Sequence, residues 1–424
     1  MKKLLLGSTA LVAAAAFSGQ AFAQQPVPTP ATADGIVLGF GGYWVQGYGA
    51  MLQDQTQPGQ SGYKHGFDGF QEDAILGILG SVKTPSGLTV GARFDYRAEN
   101  TATASSASSK VNDLVKQEWV SIKHDSFGEV QVGSFKDVSG RGAYAAPQAL
   151  VSGGNGSNSP SVYWTNAPIG SNTTSYSIDG RATRVQYFTP VLAGFQFSAS
   201  YAPDGLKEQT ATTYGASNTP VVGATAVSGT RDNWGIEANW KGSIGSVNLG
   251  AETHYVQDTR QRPTIGADGH PSSIGAGVQL GYGPWSVGGA YELTRGVGPS
   301  GLTAGYVSAV ANTAAQTSSA IANYEINKTF DVGVAYTVGP FRAGISWSRG
   351  YYEGLVDGTK RAPIFDSIVP GVNYAVAKGV TLFTAVNFSN YDGAGATLAP
   401  TAKSYIFSKS YTSTALVVGT DLRF

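Results

Sequence analysis

The 424-residue chain contains no cysteine. Disulfide bonds, cysteine nucleophiles and cysteine-ligated metal sites are therefore excluded, and backbone pairing and packing must stabilise the fold. Charged residues make up only 13% of the chain and sum to a formal net charge of zero, whereas a nucleic-acid-binding protein would show a basic excess. Beyond the first residues, the sequence also lacks an apolar run of the ~20 residues that a transmembrane helix needs. We expect neither a nucleic-acid partner nor a membrane crossing by helices.

The amino terminus has the features of an export signal. Lys2 and Lys3 precede an apolar run over residues 4–17, and small residues follow at Ala21 and Ala23. This order predicts a secretory signal peptide over residues 1–23 that is cut after Ala23. The alternative is a membrane-anchor helix, which the pattern disfavours because the apolar run is shorter than the ~20 residues needed to span a bilayer.

Downstream of the predicted cut, the chain is rich in glycine, with 57 residues, and in aromatics, with 11%. Residues 24–34 are polar and Pro-rich and predict a flexible periplasmic leader. From residue 35 to 424, apolar and polar residues alternate with the period of two that is typical of β-strands with two different faces. In the segment 89–97, one face holds Val90, Ala92, Phe94 and Tyr96, and the other holds Arg93, Asp95 and Arg97.

About sixteen such segments are present, an even number like that of closed bacterial barrels. They begin near residues 35, 72, 88, 114, 129, 182, 195, 232, 246, 274, 285, 328, 341, 367, 380 and 412. Seven of the connections are short and contain glycine, proline or serine, which favour turns; they lie at residues 84–87, 125–128, 190–194, 241–245, 283–284, 339–340 and 378–379.

The short connections alternate with eight long, polar ones. This asymmetry predicts an all-β, transmembrane, antiparallel up-and-down β-barrel with seven short periplasmic turns and eight long extracellular loops. A soluble β-sandwich is the alternative fold, because alternation alone does not tell whether the apolar face meets lipid or a second sheet. The strand number and the difference in loop length favour the barrel.

Four stretches of the chain resemble the Gram-negative general porin family. Residues 117–137 (QEWVSIKHDSFGEVQVGSFKD) and 183–202 (TRVQYFTPVLAGFQFSASYA) are similar to its paired strands, residues 371–392 (GVNYAVAKGVTLFTAVNFSNYD) to its penultimate hairpin, and residues 414–424 (TALVVGTDLRF) to its closing strand. The resemblance implies a sixteen-stranded, usually homotrimeric channel in the lipid and lipopolysaccharide of the outer membrane. Small hydrophilic solutes would cross it by passive diffusion, without a cofactor.

The resemblance also implies that the third long loop folds into the pore and narrows it. Here this loop is residues 138–181, the longest connection in the chain. Gly153, Gly154 and Gly156 would let its backbone bend inward. The alternative, a mobile surface loop, remains open at this point.

Charged side chains at the narrowest part of a pore determine its selectivity, because low-dielectric walls focus their field on a passing solute. The candidate pore-lining and selectivity residues are Arg93, Asp95, Arg97, Lys123, Asp137, Arg141, Asp179 and Arg184. The family sets acidic loop residues against a basic ladder, yet this loop region offers only Asp179 and the flanking Asp137. We therefore predict weak or anion-leaning selectivity. A structural ion pair between Arg93 and Asp95 is the alternative role for those two residues.

Aromatic residues recur near the ends of the predicted strands, where rings with polar tips suit the two lipid interfaces. Ten are candidates for these girdles: Trp44, Tyr96, Trp119, Tyr187, Tyr201, Trp240, Trp285, Phe341, Trp347 and Tyr391. Phe424 ends the apolar row of the last strand. By resemblance, it belongs to the signal that the barrel-assembly machinery reads.

Nothing in the sequence predicts an enzyme or a metal site. The four histidines are scattered and show no H-E-x-x-H spacing, and no nucleophile and base can be placed together. Two other functions remain open: a substrate-specific channel for sugars or phosphate, and a barrel that acts mainly as an adhesin or receptor through its surface loops.

Overall fold

The computed structural model describes eleven segments of the chain. These are residues 35–53, 68–97, 115–140, 144–147, 181–204, 230–260, 270–295, 323–356, 359–361, 364–392 and 411–424. The predicted signal peptide and leader, residues 1–34, lie outside them and remain predictions. Within these segments, no helix has the length and apolarity required to cross a bilayer.

The described segments form seventeen β-strands, which belong to one antiparallel sheet. The first nine are β1 (Val37–Gln53), β2 (Asp68–Lys83), β3 (Thr89–Arg97), β4 (Val115–His124), β5 (Gly128–Lys136), β6 (Arg181–Phe188), β7 (Phe195–Asp204), β8 (Thr230–Ile244) and β9 (Val247–Arg260). The other eight are β10 (Ser272–Tyr282), β11 (Trp285–Arg295), β12 (Asn323–Val338), β13 (Phe341–Val356), β14 (Thr359–Arg361), β15 (Ile364–Ala377), β16 (Val380–Asp392) and β17 (Tyr411–Arg423).

The sheet closes on itself, so it is a barrel. Strand β1 pairs with β17, from Tyr43 opposite Arg423 to Gln53 opposite Ser413. Strand β14 is not part of the wall: it extends only the outer end of β13, and β13 pairs directly with β15. Sixteen strands therefore make the wall, as the alternation predicts, and β14 is an addition that the sequence does not reveal.

All seven predicted short turns are present, and each contains a glycine with a positive φ, from 54° at Gly283 to 87° at Gly87 and Gly194. Such dihedrals cost glycine little and strain other residues, which explains why these turns are glycine-rich. On the other edge of the wall, several strands are longer than predicted. Strand β2 begins at Asp68 rather than near 72, and β12 begins at Asn323 rather than near 328. The ladder continues there because backbone pairing does not require an apolar face.

The two faces of the wall differ in chemistry. The outward face carries exposed apolar side chains on every long strand, among them Phe94, Ile236, Val332 and Leu416. The inward face carries polar and charged side chains that are largely buried. Two of the ten predicted girdle residues fall at inward ladder positions instead. Trp119 is opposite Arg93 and packs edge-on against buried Phe135 at 5.8 Å, and Tyr391 is opposite buried Phe365. Val120 and Ile122, close to Trp119, are the outward residues of β4.

Candidate functional site

The start of the third long connection lies against the inside of the barrel. Val138–Gly140 forms one turn of 3₁₀ helix after β5 and lies against β8, and residues 144–147 continue over β9 to β12 on the inward side of the wall. We call the inward faces of these five strands the loop-bearing wall. Val138 and Ala146 are almost fully buried. This part of the chain thus passes through the lumen rather than over the outer surface.

Four strands of the loop-bearing wall, β8, β9, β10 and β12, each carry a glycine at an inward position next to the connection. A Cβ at Gly250 would collide with the ring of Tyr144, and one at Gly277 would collide with the Tyr144 carbonyl oxygen. At Gly235 a Cβ would come within 2.9 Å of Val138, and at Gly333 within 3.0 Å of the Pro147 carbonyl oxygen. The absence of side chains at these positions leaves a track in which the connection lies.

Hydrogen bonds hold the connection in this track. The backbone N–H of Ala146 donates to Asp331 Oδ1 at 2.6 Å, and Gln279 Nε2 donates to the Ala145 carbonyl at 3.1 Å. Before the track, Asp137 Oδ1 accepts from the backbone N–H and the hydroxyl of Ser139, at 3.1 and 2.5 Å. Asp137 is fully buried, so its carboxylate shapes the start of the connection.

A buried cluster of charged residues lies beside this track. His254 on β9 places Nδ1 at 3.1 Å from Glu252 Oε2 and Nε2 at 3.1 Å from Glu292 Oε2. Both carboxylates can only accept when ionised, so an imidazolium that donates from both nitrogens satisfies this arrangement. The hydroxyl of Ser273 donates to Glu292 as well. At Gly275, the absence of a Cβ gives His254 and Glu292 the space they occupy.

On the facing strands, Arg93 and Asp95 form an ion pair. Arg93 Nε lies 2.8 Å from Asp95 Oδ1, and the two side chains are 14% and 2% exposed. Gln117 donates a second hydrogen bond to Asp95 at 2.5 Å, and the guanidinium stacks over Trp119 at 5.3 Å. The predicted inward direction of both residues agrees with the register. The geometry of Arg93 and Asp95 is that of the alternative role, a structural ion pair.

The other predicted pore-lining residues fall in different environments. Arg184 is 2% exposed: its guanidinium donates to the Phe135 carbonyl at 2.9 Å and reaches across β7 to Asn233 Oδ1 at 3.0 Å. Its charge is thus enclosed in the wall. Arg97 lies two residues beyond Asp95 on the inward face and is half-buried, whereas Lys123 is exposed near the short-turn end of β4. Arg141 and Asp179 lie outside the described residues.

The last residue seals the joint between the first and last strands. Phe424 accepts a hydrogen bond from the Gly42 N–H at 2.9 Å and donates one to the Gly42 carbonyl at 3.2 Å, while its side chain faces outward and is 63% exposed. Among the described residues, no group of three or more histidine or acidic residues is arranged to hold a metal ion.

Comparisons with known proteins agree with this geometry. Residues 9–394 match the family model described as Gram-negative porin. The chain belongs to the Gram-negative porin family. No curated protein matched the chain significantly. Its fold is similar to those of solved outer-membrane proteins, although the sequence identity is low.

The DcaP channel of Acinetobacter baumannii is 13% identical with a TM-score of 0.56, covering 93% of this chain and 99% of its own. The anion-selective porin from Comamonas acidovorans is 13% identical with a TM-score of 0.55, covering 92% and 100%. OmpT of Vibrio cholerae in its trimer form is 12% identical with a TM-score of 0.54, covering 92% and 100%. At these identities, the likeness shows the fold.

The porin is therefore an outer-membrane channel through which solutes diffuse passively, in a Gram-negative bacterium. Family and fold are those of a channel rather than an enzyme. Its glycine track went unpredicted because glycine in an alternating pattern usually indicates a weakened strand or a turn. The available signal was the presence of glycines at inward positions of β8, β9, β10 and β12.

Proposed function

We propose that the porin is a general diffusion channel for small hydrophilic solutes, narrowed by residues 138–181 inside the lumen. The observation that carries this proposal is the fit of residues 138–140 and 144–147 to the glycine track, secured by the bond from Ala146 to Asp331. A connection that enters the lumen on this path has the rest of its length available to narrow it. Size would then limit passage, and no energy source or cofactor would be needed.

Charge selectivity is proposed to be weak and to favour anions. In the middle of the barrel, Arg93 is neutralised by Asp95, and Arg184 is enclosed in the wall. The carboxylates of Glu252 and Glu292 are buried beside His254, so they offer little attraction to cations in the lumen. Arg97 and Lys123 remain as the more accessible predicted cations, and Asp137, Arg141 and Asp179 would shape the loop.

Liposome swelling with uncharged sugars of increasing size tests the channel directly. A general diffusion pore should admit them at rates that fall smoothly with size. Deleting residues 150–176 should raise the rates for the largest sugars most, because the track residues 138–147 are kept while the narrowing segment is shortened. Saturable entry of one sugar would instead indicate a substrate-specific channel. Correctly folded protein that admits none would indicate an adhesin or receptor.

We also propose assembly through the carboxyl-terminal strand and association into a homotrimer, surrounded by lipopolysaccharide. OmpT of Vibrio cholerae is described in a trimer form, which supports the oligomeric state by analogy of fold. Purified protein should run as a trimer in mild detergent and open in groups of three equal conductance steps. A monomer with single steps would contradict this assembly.

Variants of Phe424 can distinguish recognition of the last strand by the assembly machinery from pairing of that strand with β1. Its backbone forms both bonds to Gly42, whereas its side chain faces lipid. Phe424→Ala keeps the backbone bonds, so it should reduce membrane-inserted barrel only if the assembly machinery reads the ring. Phe424→Tyr is the conservative control and should insert well. We expect catalysis from neither the wild type nor the variants.

A further inference from the structure

Five basic side chains lie on the inward face at the periplasmic end of the wall. Lys83 is the last residue of β2, Lys123 the next to last of β4, and Lys241 lies near the end of β8. Arg342 is the second residue of β13, and Arg423 is the last of β17. We call these five residues the mouth cluster.

The ladder registers place the mouth cluster toward the lumen. Lys83 and Lys123 both lie opposite Thr89, one on each side, and Thr89 shares the inward parity of Arg93. With strands 4.7–4.9 Å apart, the two lysine backbones are about 10 Å from each other. Lys241 lies opposite the inward residue Gly250, next to the turn that joins β6 and β7.

The described strands carry two inward carboxylates at this end, and one of them, Glu129, lies opposite Lys123 in the ladder. Glu129 accepts a hydrogen bond from Gln131, and Asp421 is 1% exposed and lies 3.0 Å from Arg423. In the described part of the chain, no carboxylate pairs with Lys83, Lys123 or Lys241, and all three side chains are exposed. With five basic residues and these two carboxylates, the inward rim has an excess of three positive charges.

This balance differs from that of the middle of the barrel. There, Arg93 is paired with Asp95, and His254 lies between two carboxylates. Charges that are exposed and unpaired in a channel mouth act on mobile ions, because the low-dielectric wall confines their field to the water inside. Charges that are paired and buried exert only a weak electric field on a solute in the lumen.

We propose that the mouth cluster concentrates small anions, such as chloride, phosphate and short carboxylates, at the periplasmic entrance and is the main determinant of anion preference. The inference rests on the proposed diffusion channel and extends it by assigning specificity to Lys83, Lys123 and Lys241. Because the cluster lies at one end only, ion flow through a uniformly oriented pore is expected to be asymmetric with respect to voltage.

Wild-type porin provides a first test that needs no variant. Its anion-to-cation permeability ratio should be clearly above one in dilute salt and approach one in concentrated salt. The reason is that the screening length falls from about 10 Å at about 0.1 M to about 3 Å at about 1 M ionic strength. A ratio that stays constant across this range would overturn the mouth cluster as the determinant, because a narrow, desolvated filter is screened much less.

The second test is the triple variant Lys83→Gln, Lys123→Gln and Lys241→Gln. Its permeability ratio in dilute salt should fall about threefold or more, and its current asymmetry should be lost, since local ion concentration follows the field. The triple Lys→Arg variant keeps the charges and should restore the preference. Lys328→Gln removes a lysine on the outer face, where Lys328 pairs with Glu353, and should change nothing.

The outcomes separate this inference from the proposed function. If the glutamine variant conducts with an unchanged ratio, the mouth cluster is not the determinant, while the channel itself stands. If correctly inserted wild-type protein passes no current, the proposed channel fails. Heat-modifiable mobility on gels verifies folding of each variant, and the salt dependence of the wild type decides the matter if the glutamine variant does not insert.

Discussion

The loop-bearing wall and the mouth cluster use the same kinds of residues in opposite ways. On the loop-bearing wall, Glu252, His254 and Glu292 are at most 5% exposed and bond to one another beside the track. In the mouth cluster, Lys83 and Lys123 are exposed and lack a described partner. We propose that the first set stabilises the position of the connection and that the second acts on the ions that pass.

We infer from this difference that burial and pairing, rather than residue type or inward direction, decide which charges serve conduction. Arg93 lies between the two cases, since it is inward and partly accessible but paired with Asp95. Arg184 on β6 resembles the buried cluster, because it is inward but 2% exposed and enclosed by its partners.

His254→Ala should destabilise the barrel most. The change leaves the carboxylates of Glu252 and Glu292 buried without their shared partner, and breaking a buried ion pair costs about 3–5 kcal/mol. The temperature at which the folded band converts to the unfolded band on gels should fall markedly. His270→Ala, at an exposed site before β10, is the control. Equal stability of the two variants would show that the buried cluster does not support the fold.

Gly277→Ala should displace the connection. The added Cβ would collide with the Tyr144 carbonyl, and overpacking of this kind costs about 1–3 kcal/mol. Single-channel conductance should become larger or noisier because residues 144–147 leave their track. Gly47→Ala is the control, because its new Cβ would lie 3.6 Å from Val417 Cγ1 and 3.8 Å from the Val418 carbonyl oxygen, which are ordinary contacts. If both variants conduct like the wild type, the glycine track does not position the connection.

Asp95→Asn should release the charge of Arg93 and raise anion preference. The amide keeps the shape of the carboxylate but removes the neutralising charge. In a tenfold salt gradient, where perfect selectivity gives about 59 mV, we expect a shift of several millivolts toward the anion value. The matched control is Asp366→Asn, whose carboxylate pairs with Arg349 on the outer face at 2.6 Å. A shift in the control alone would contradict the role given to pairing.

Arg184→Met should have the smallest effect on conduction. The guanidinium is enclosed and bonded to Phe135 and Asn233, so its removal takes no accessible charge from the lumen. We expect lower heat stability and an unchanged reversal potential. A loss of anion preference as large as that of the mouth-cluster variant would place Arg184 among the conducting charges instead.

The barrel itself was predictable from local sequence. Alternation identified the inward and outward faces correctly, as Arg93 and Phe94 illustrate, because side chains of a strand necessarily alternate. Glycines at Gly87 and Gly379 identified turns because positive φ is costly for other residues. The strand starts at Asp68 and Asn323 were missed, because pairing continues there without apolar alternation.

The arrangement of the lumen was not predictable in the same way. His254 meets Glu292 across 38 positions of sequence, and Asp331 meets Ala146 across 185. Such contacts depend on the register of neighbouring strands and on the path of the connection, neither of which a local pattern contains. The burial of Arg184 has the same origin. Arg141 and Asp179 lie outside the described residues, and their roles stay predictions.

Whether the protein is a weakly anion-selective channel is best tested by the zero-current potential of purified porin in a planar bilayer with a tenfold gradient of potassium chloride. We expect a conducting pore whose potential has the sign for anion preference and is well below the value for perfect selectivity, which is about 59 mV. A potential with the sign for cation preference, or folded protein that leaves the bilayer silent, would contradict it.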